Sequence, residues 1–427
     1  MNILLVSANI EQMDTPVQPL GLARVAAATR EAGHEVVLVD LKSEAEPRAV
    51  LEEVVTGFRP GVIGISVRNI DDQVMATPTF LLDQAKEVVA LCRDLSGAPI
   101  VLGGAGYSIF PESALDYLQA DMGIQGEGEA VFPALIEALA SGGDPSKVPG
   151  LCLPGVGVRQ ERIFTHELDA FPLPDVSLMC SSAQKDEEPW IPVQTRRGCP
   201  LKCSYCSTPA IEGTVIRQHS PDVIVEWIRR WVAEGFEQFF FVDNVFNLPL
   251  SYAKKLCRKL INRRLDIRWW SIVYPKEVDE ELVGLMAKAG CLQVGLGFES
   301  GSEPILRSLN KGFTVDEVRK VSELFAEHAI QRMGFLLLGG PGETKGSVEE
   351  SFDVADSLNL DLLRVTTGVR IYPDTPLAER AVDEGVISPR CDLLHPCFYL
   401  AKELEDWLPQ TVREWKATRS YPVVCSG

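Results

Sequence analysis

Three cysteines stand close together near the middle of the chain, and they constrain it more than any other feature. Cys199, Cys203 and Cys206 follow the spacing C-x3-C-x2-C, with no fourth cysteine nearby. A 4Fe-4S cluster takes one thiolate for each of its four irons, so three thiolates leave one iron open to a small molecule. A structural zinc site needs four nitrogen or sulfur ligands, and His219 stands at an awkward distance for that role. The pattern therefore favours a cluster over zinc or over ordinary thiols.

The cysteine loop resembles that of the radical S-adenosylmethionine (SAM) enzymes, which share this spacing. Tyr205 stands where that family prefers an aromatic residue just before the third cysteine. The resemblance implies that Cys199, Cys203 and Cys206 ligate a 4Fe-4S cluster, and that SAM binds at its open iron. It further implies reductive cleavage of SAM to a 5′-deoxyadenosyl radical, which removes hydrogen from an unactivated carbon.

Composition narrows the possible partners and the cellular setting. The net charge of −19 argues against a nucleic-acid partner, which needs a basic surface. No apolar run reaches the length of a membrane span, and the N-terminus has no basic region ahead of its apolar stretch. Eleven cysteines in such a chain predict free thiols in a reducing setting. We expect a cytoplasmic protein with neither a membrane nor a nucleic-acid partner.

Residues 1–145 alternate short apolar strands with amphipathic helices. This rhythm predicts a doubly wound parallel sheet of the Rossmann-like or flavodoxin-like kind, which binds ligands at the carboxyl ends of its strands. The loops at those ends are rich in glycine and other small residues. Taken alone, such loops fit turns as well as they fit ligand contacts.

The order of these loops resembles the cobalamin-binding domain that precedes many radical SAM domains. The resemblance implies cobalamin contacts from one helix start and three loops: Leu20, Gly21, Ser66, Val67, Arg68, Gly103, Gly104, Gly106, Gln125, Gly126 and Glu127. Two departures matter. Arg68 replaces the leucine of the related Ser-x-Leu element, and the loop from Ser7 to Gln18 has no histidine to ligate cobalt. The resemblance therefore implies a corrinoid without a protein histidine, and a chain that has lost cobalamin remains an alternative.

Residues 146–190 have the composition of a linker, with a small hairpin expected around 151–164. Strand–helix alternation then resumes over 191–385, with strands expected at 193–196, 238–242, 267–272, 292–298, 331–338 and 363–371. Six such units predict a partial (β/α)6 barrel with its chemistry at the carboxyl ends of the strands. The cysteine loop follows the first of these strands. A C-terminal extension, 386–427, completes the chain.

The later strand ends supply candidates for the SAM site. By resemblance, Glu299 contacts the polar part of SAM, and Gly339 and Gly340 lie near its adenine. Tyr205 is a further SAM candidate, and Asn244 and Asp243 are further candidates for the pocket. The alternatives are that Glu299 and Glu303 cap the following helix, and that the glycines simply form a turn.

Other polar residues admit two interpretations. Arg332 and Arg370 could hold an anion, although structural ion pairs are commoner for such arginines. In the tail, Cys391, His395, Cys397 and Tyr399 could bind a metal or belong to a packing loop.

Together these resemblances identify a cobalamin-dependent radical SAM enzyme of the class B methyltransferase-like family. They imply methyl transfer from methylcobalamin to carbon, a small-molecule substrate and a flavodoxin- or ferredoxin-type electron donor. The alternatives are a cyclase or rearrangement enzyme with the same cofactors, and a non-catalytic corrinoid- or metal-binding module that stores or senses its ligand.

Overall fold

A computed structural model describes residues 1–9, 18–44, 46–179 and 189–426. The chain forms two compact units. The first contains Met1–Asp72, Phe80–Trp190 and Thr208–Gly213, and the second contains Gln73–Thr79, Ile191–Ser207 and Thr214–Gly427. The boundaries predicted at 145, 190 and 385 stay predictions.

The first unit is a seven-stranded sheet in the order β2-β1-β3-β4-β5-β6-β7. Its first five strands are parallel, and an antiparallel hairpin extends one edge. The strands are β1 (Asn2–Ser7), β2 (Glu35–Asp40), β3 (Val62–Ser66), β4 (Ile100–Gly103), β5 (Met122–Ile124), β6 (Leu151–Leu153) and β7 (Gly157–Val158). The helices are α1 (Leu20–Glu31), α2 (Pro47–Phe58), α3 (Leu82–Leu95), α4 (Ala105–Ile109), α5 (Pro111–Leu118), α6 (Gly128–Ala140), α7 (Val176–Met179) and α8 (Thr208–Glu212).

The apolar strands of this sheet are buried on both faces, as expected for parallel strands covered by helices. Ile3, Leu4, Leu5 and Val6 are all at most 1% exposed, so neither face of β1 meets solvent. The predicted doubly wound sheet is confirmed. The expected hairpin near Leu151 is also present, and it belongs to this first sheet.

The second unit is a seven-stranded, wholly parallel sheet in the order β8-β11-β12-β13-β14-β15-β18. The strands of the unit are β8 (Ile191–Val193), β9 (Arg196–Arg197), β10 (Arg217–Gln218), β11 (Gln238–Phe241), β12 (Arg268–Val273), β13 (Cys291–Glu299), β14 (Gln331–Leu338), β15 (Leu362–Thr367), β16 (Val369–Arg370), β17 (Phe398–Tyr399) and β18 (Val423–Ser426). Its helices are α9 (Pro221–Ala233), α10 (Leu250–Arg263), α11 (Glu280–Lys288), α12 (Glu303–Ser308), α13 (Val315–Glu327), α14 (Lys345–Ser357), α15 (Pro376–Asp383) and α16 (Leu408–Ala417). The sheet order matches the predicted partial barrel, in which each strand pairs with the next one along the chain.

Successive side chains along each strand of this sheet point to opposite faces, and the two faces have different surroundings. One face packs on helices, where Phe298, Leu336 and Val365 join a core with Val348 and Phe352 of α14. The opposite face carries Trp270, whose ring stacks on Phe240 with centroids 3.6 Å apart. We call this second surface, which also carries Phe335 and Arg364, the inner face.

The C-terminal extension is part of the sheet, which the sequence did not predict. Its last strand, β18, pairs in parallel with β15 and adds a seventh strand. Trp415 of α16 stacks on Phe352 with ring centroids 4.3 Å apart. The strand expected over 363–371 is instead broken at Gly368, whose φ of +75° ends β15 before the two-residue β16.

Candidate active site

The cysteine loop follows β8 and β9, so it lies at the carboxyl end of the first barrel strand. Cys199 is buried, and Cys203 and Cys206 are partly exposed. Ser204 fixes the loop from both sides. Its N–H donates to the Leu309 carbonyl at 3.1 Å, and its own carbonyl accepts the Leu377 N–H at 3.0 Å.

The donor set suits a multi-iron cluster better than a single ion. Among the described residues, no three histidine, cysteine or carboxylate side chains lie close enough to hold one metal ion. The thiolates of a 4Fe-4S cube bind different irons, so they need not converge on one point. Three thiols on one fixed loop fit that requirement, whereas a four-ligand zinc site does not fit here.

Asp243 does not face the site, which corrects the interpretation that it contacts SAM. Its carboxylate is 1% exposed and accepts hydrogen bonds from the Thr195 N–H at 2.7 Å and the Arg196 N–H at 3.0 Å. It also forms a 3.3 Å ion pair with the Arg196 side chain. Asp243 therefore positions the segment that leads into the cysteine loop. Asn244, the next residue, is half-buried at the same strand end.

Lys311 is a site residue that the sequence analysis missed. Its Nζ lies 3.3 Å from Glu299 Oε1, and the two side chains are 6% and 15% exposed. The same Nζ lies 5.2 Å from the centre of the Tyr205 ring. Glu299 follows an irregularity in β13 and has a φ of +62°, which turns it out of the strand's regular register. The fold thus brings Glu299 and Tyr205, which were predicted, to a lysine that was not.

The ammonium of Lys311 and the acidic groups around it stabilise one another's charged forms. Burial opposes a charge on Lys311, yet Glu299, Tyr205 and Cys203 together hold the pKa of its ammonium well above the ordinary value. Burial also raises the pKa of Cys203, and Lys311 partly counteracts that effect. A cation beside the loop therefore favours the thiolate form that iron requires.

Glu343 organises the loop after β14. Its Oε2 accepts hydrogen bonds from the N–H groups of Gly339 and Gly340, the latter at 3.0 Å. Its Oε1 is buried without a hydrogen-bond partner, and burial raises the pKa of the carboxyl group to about 7. Because Glu343 occupies both glycine N–H groups, an adenine beside this loop would contact its surface rather than these donors.

Three of the other candidate residues, Glu303, Arg370 and Arg332, make structural contacts. Glu303 lies in the first turn of α12 and accepts the Val315 N–H at 2.8 Å, so the capping alternative fits Glu303 but not Glu299. Arg370 donates to carbonyls of its own segment and of the tail, and Arg332 donates to the Asn359 carbonyl at 2.8 Å. Both arginines therefore have the structural roles that the sequence allowed, and anion binding by them stays a prediction.

The predicted cobalamin residues gather at one edge of the first sheet. The strand order reverses between β1 and β3, and in such sheets ligands bind at that switch point beyond the carboxyl ends. Ser66 ends β3 and residues 67–68 follow it, while Gly103 ends β4 and residues 104–106 follow it. The Val67 N–H donates to the Gly103 carbonyl at 2.8 Å, and the Gly106 N–H donates to the Arg68 carbonyl at 2.9 Å.

Glycine is required where these loops touch. A Cβ on Gly104 would lie 2.5 Å from the Val67 carbonyl oxygen, and one on Gly106 would lie 2.9 Å from that of Arg68. Gly103 and Gly21 are different, because a Cβ there would meet nothing within 4 Å. Open space at Gly103, beside two tightly packed loops, fits a cradle for a large planar ligand.

Ser108, which the sequence analysis did not single out, ties these loops together. Its hydroxyl donates to the Gly104 carbonyl at 2.8 Å and accepts the Gly126 N–H at 2.9 Å. The Gln125 side chain donates to the Ser108 carbonyl at 3.2 Å. Glu127 precedes α6 and accepts the Thr165 N–H at 3.0 Å. Leu20 begins α1 at the same edge, next to Gly21.

The loop without histidine is only partly described. Arg68 N–H donates to the Asn9 side chain at 2.6 Å, just before that loop. Residues 10–17 lie outside the described residues, so the corrinoid without a protein histidine stays a prediction. Among the described helices, none is long and apolar enough to cross a membrane.

Comparison with known proteins agrees with the description of the cysteine-loop unit and with that of the first unit. Residues 193–355 match the family model of the radical SAM superfamily, and residues 6–136 match that of the B12 binding domain. A protein of Pyrococcus horikoshii named as an uncharacterized methyltransferase is 30% identical over 403 residues, which cover 91% of this chain and 84% of the relative. The tryptophan 2-C-methyltransferase of Streptomyces laurentii is 25% identical, and the match covers 88% of this chain and 74% of that protein.

A solved structure supports the fold. The radical SAM methyltransferase TsrM of Kitasatospora setae, with cobalamin and a 4Fe-4S cluster bound, superposes with a TM-score of 0.81 and 24% identity. The match covers 90% of this chain and 75% of TsrM. The predicted fold class is thereby confirmed. This chain belongs to the cobalamin-binding radical SAM enzymes of the methyltransferase-like family, whose cofactors are a 4Fe-4S cluster, SAM and cobalamin.

Proposed function

We propose that this enzyme transfers a methyl group to a carbon atom of a small molecule, with SAM as both methyl source and radical precursor. The observation that carries the proposal is the Glu299–Lys311 ion pair, 3.3 Å long, beside the cysteine loop. When bound, the cluster supplies one electron and cobalamin supplies the methyl group, while the protein orients the reactants.

The ion pair fits the amino-acid end of SAM. That end carries an ammonium and a carboxylate, so Glu299 complements the first and Lys311 the second. Their low exposure strengthens such contacts, because buried charges are less screened by water. We assign SAM contacts to Glu299, Lys311, Tyr205 and Asn244, and assign the outer surface of Gly339 and Gly340 to the adenine side. Cys199, Cys203 and Cys206 are the proposed cluster ligands.

The first unit is proposed to hold cobalamin through the loops after β3, β4 and β5 and the start of α1. The proposed cradle combines the open positions Gly103 and Gly21 with Ser66, which pairs with Gly103, and with Val67 and Arg68 of the same loop. The loops after β4 and β5 and the start of α1 complete the proposed cradle. They contribute Gly104, Gly106, Gln125, Gly126, Glu127 and Leu20. This assignment rests on the switch-point position of the loops and on the matched B12 binding domain.

The inner face of the barrel supports a small-molecule substrate. It combines the Phe240–Trp270 stack with Phe335, and Arg364 lies opposite Phe335 in the strand register. A flat apolar body with an acidic group would suit this mixture. Relatives named for tryptophan, for cytidylyl-2-hydroxyethylphosphonate and for hopanoid methylation agree with a small-molecule substrate. We further propose a flavodoxin- or ferredoxin-type electron donor and a cytoplasmic location.

A second function, ring closure without methyl transfer, has one supporting observation. The anaerobic magnesium-protoporphyrin IX monomethyl ester cyclase of Rubrivivax gelatinosus is 24% identical, over 81% of this chain and 63% of the cyclase. Product analysis separates the two functions. The anaerobically reconstituted enzyme is given cobalamin, SAM and a strong reductant, and S-adenosylhomocysteine and 5′-deoxyadenosine are quantified by mass spectrometry. Methyl transfer predicts both products, whereas ring closure predicts 5′-deoxyadenosine alone.

A further inference from the structure

Two cysteines of the C-terminal extension lie against each other at the surface. The Sγ atoms of Cys391 and Cys397 are 3.9 Å apart. Cys391 is exposed and Cys397 is partly exposed, so a reagent in solution can reach the pair. We propose that Cys391 and Cys397 form a reversible disulfide through exchange with a low-molecular-weight disulfide such as oxidised glutathione.

Hydrogen bonds of the surrounding loop hold the two thiols in van der Waals contact. The Ile371 N–H donates to the Cys397 carbonyl at 2.9 Å, and Arg370 donates to the Leu393 carbonyl at 2.9 Å. Arg370 is 4% exposed, so it forms a buried anchor around which residues 391–397 wrap. A disulfide needs its sulfurs about 2.05 Å apart. From van der Waals contact, side-chain rotation can supply that approach while the backbone stays anchored.

Metal binding is the less suitable use of these thiols. His395 stands between them in sequence, yet no described group of three histidine, cysteine or carboxylate side chains could hold a metal ion. Two sulfurs alone do not complete a zinc site, which takes four ligands. Two adjacent accessible thiols do suffice for disulfide exchange.

The exchange balances as two successive displacements. The Cys391 thiolate attacks one sulfur of oxidised glutathione, which forms a mixed disulfide and releases one glutathione thiolate. The Cys397 thiolate then attacks Cys391 Sγ, which closes the protein disulfide and releases the second glutathione thiolate. The protein thiols lose two protons and two electrons, and oxidised glutathione is reduced to two thiols. Cys391 acts first because it is the more exposed of the two, and burial raises the pKa of Cys397.

A second pair of cysteines provides an internal contrast. Cys257 and Cys291 are both buried, at 0% and 6% exposure. Burial raises the pKa of Cys257 to about 12, and burial followed by the neighbouring Cys257 raises the pKa of Cys291 well above its ordinary range. These thiols are protonated at neutral pH and shielded from solvent, so they should not exchange.

The disulfide would close a ring over Arg370, directly beyond the carboxyl end of β15. Because the ring retains the loop's existing conformation, oxidation should restrict the unfolded chain more than it strains the folded one. The oxidised protein should therefore unfold at a higher temperature than the reduced protein. This inference does not depend on which reaction the enzyme catalyses.

The test uses the cluster-loaded holoenzyme under anaerobic conditions. Samples are equilibrated in buffers of increasing oxidised-to-reduced glutathione ratio, quenched with acid and N-ethylmaleimide, and digested with trypsin. Cleavage after Arg390 and Lys402 places both cysteines on one peptide, 391–402. The expected result is a steady conversion of this peptide from its doubly alkylated form to an unalkylated form that is two hydrogens lighter than the dithiol. Peptides with Cys257 and Cys291 should stay fully alkylated throughout.

A single variant shows whether both thiols belong to the same disulfide. Cys391→Ser should abolish the internal disulfide and leave Cys397 alkylated or singly glutathionylated. The proposal is overturned if both thiols of the wild-type protein remain alkylated in fully oxidising glutathione. It is equally overturned if the peptide gains only glutathione adducts with no internal disulfide.

Discussion

Lys311 and Glu299 form a buried ion pair, with 3.3 Å between Nζ and Oε1, at the carboxyl end of the barrel sheet. Both belong to segments that meet the cysteine loop, since Lys311 also lies over the Tyr205 ring. A lone buried charge is costly, so each partner keeps the other ionised where SAM is proposed to bind. Stability and the proposed SAM recognition therefore involve the same two side chains.

Removal of both partners should therefore cost less than the sum of the two single removals. Lys311→Met should leave the Glu299 carboxylate buried and unpaired, and should lower the free energy of unfolding by about 3–5 kcal/mol. Glu299→Gln should also be destabilising, but the double variant should lose less than the sum of the two. Denaturant unfolding of the four proteins measures this coupling. Strictly additive losses would contradict the ion pair.

The same variants should weaken SAM binding. The expected result in isothermal titration is a loss of affinity of at least tenfold for Lys311→Met and for Glu299→Gln. Glu303→Gln is the matched control, because Glu303 accepts the Val315 N–H at the start of α13. Unchanged SAM affinity in both pair variants would remove Glu299 and Lys311 from the SAM site.

Glu343 should make stability depend on pH. Its folded pKa is about 7, against an ordinary value of 4.5. Since the folded state holds the proton more tightly, stability should fall as pH rises from about 5 to 8, with a total effect on the order of 3 kcal/mol. Glu343→Gln copies the neutral form and should flatten this part of the curve. Thermal unfolding at a series of pH values tests the prediction, with the exposed Glu349→Gln as the control for loss of one charge.

Two adjacent glycines should respond differently to alanine. Gly104 has a φ of +104° and no room for a Cβ, so Gly104→Ala should destabilise the first unit by about 1–3 kcal/mol. Gly103 has open space, so Gly103→Ala should fold with unchanged stability but bind cobalamin more weakly. Unfolding curves and equilibrium titration with hydroxocobalamin separate the two effects. Full cobalamin affinity in Gly103→Ala would move the ligand away from this loop.

The cluster cysteines should differ from the chain's other half-exposed cysteines in iron binding. Cys203→Ser should lose most of the iron and the visible absorbance of the reconstituted cluster, because one iron loses its thiolate. Cys425→Ser, in β18, should retain both. Iron and sulfide assays with electron paramagnetic resonance make the comparison. Normal iron loading in Cys203→Ser would contradict its assignment as a ligand.

The sequence predicted the architecture well because local signals and the global fold agree. Strand–helix periodicity located the barrel strands to within a few residues, and the cysteine spacing identified the loop that follows the first of them. Glu299 was also accessible to sequence reasoning, since it ends a strand in a recognisable position. These features depend on residues that are close together in the chain.

The sequence could not reveal features that depend on contacts between distant segments. Lys311 follows α12 in an ordinary turn, and only the fold brings it to Glu299. The position of Asp243 at a strand end suggests a ligand contact. Its carboxylate instead accepts hydrogen bonds from Thr195 and Arg196, almost fifty residues earlier in the chain. The short strand β18 carries too few residues to be distinguished from a loose tail.

The most direct test of the account follows the methyl group itself. The reconstituted enzyme, loaded with cobalamin and reduced, is incubated with SAM that carries a trideuterated methyl group, and the bound corrinoid is analysed by mass spectrometry. The account predicts a deuterated methyl group on the corrinoid and an equal amount of S-adenosylhomocysteine. A corrinoid that stays unlabelled while SAM is cleaved to 5′-deoxyadenosine would contradict methyl transfer as the function of this enzyme.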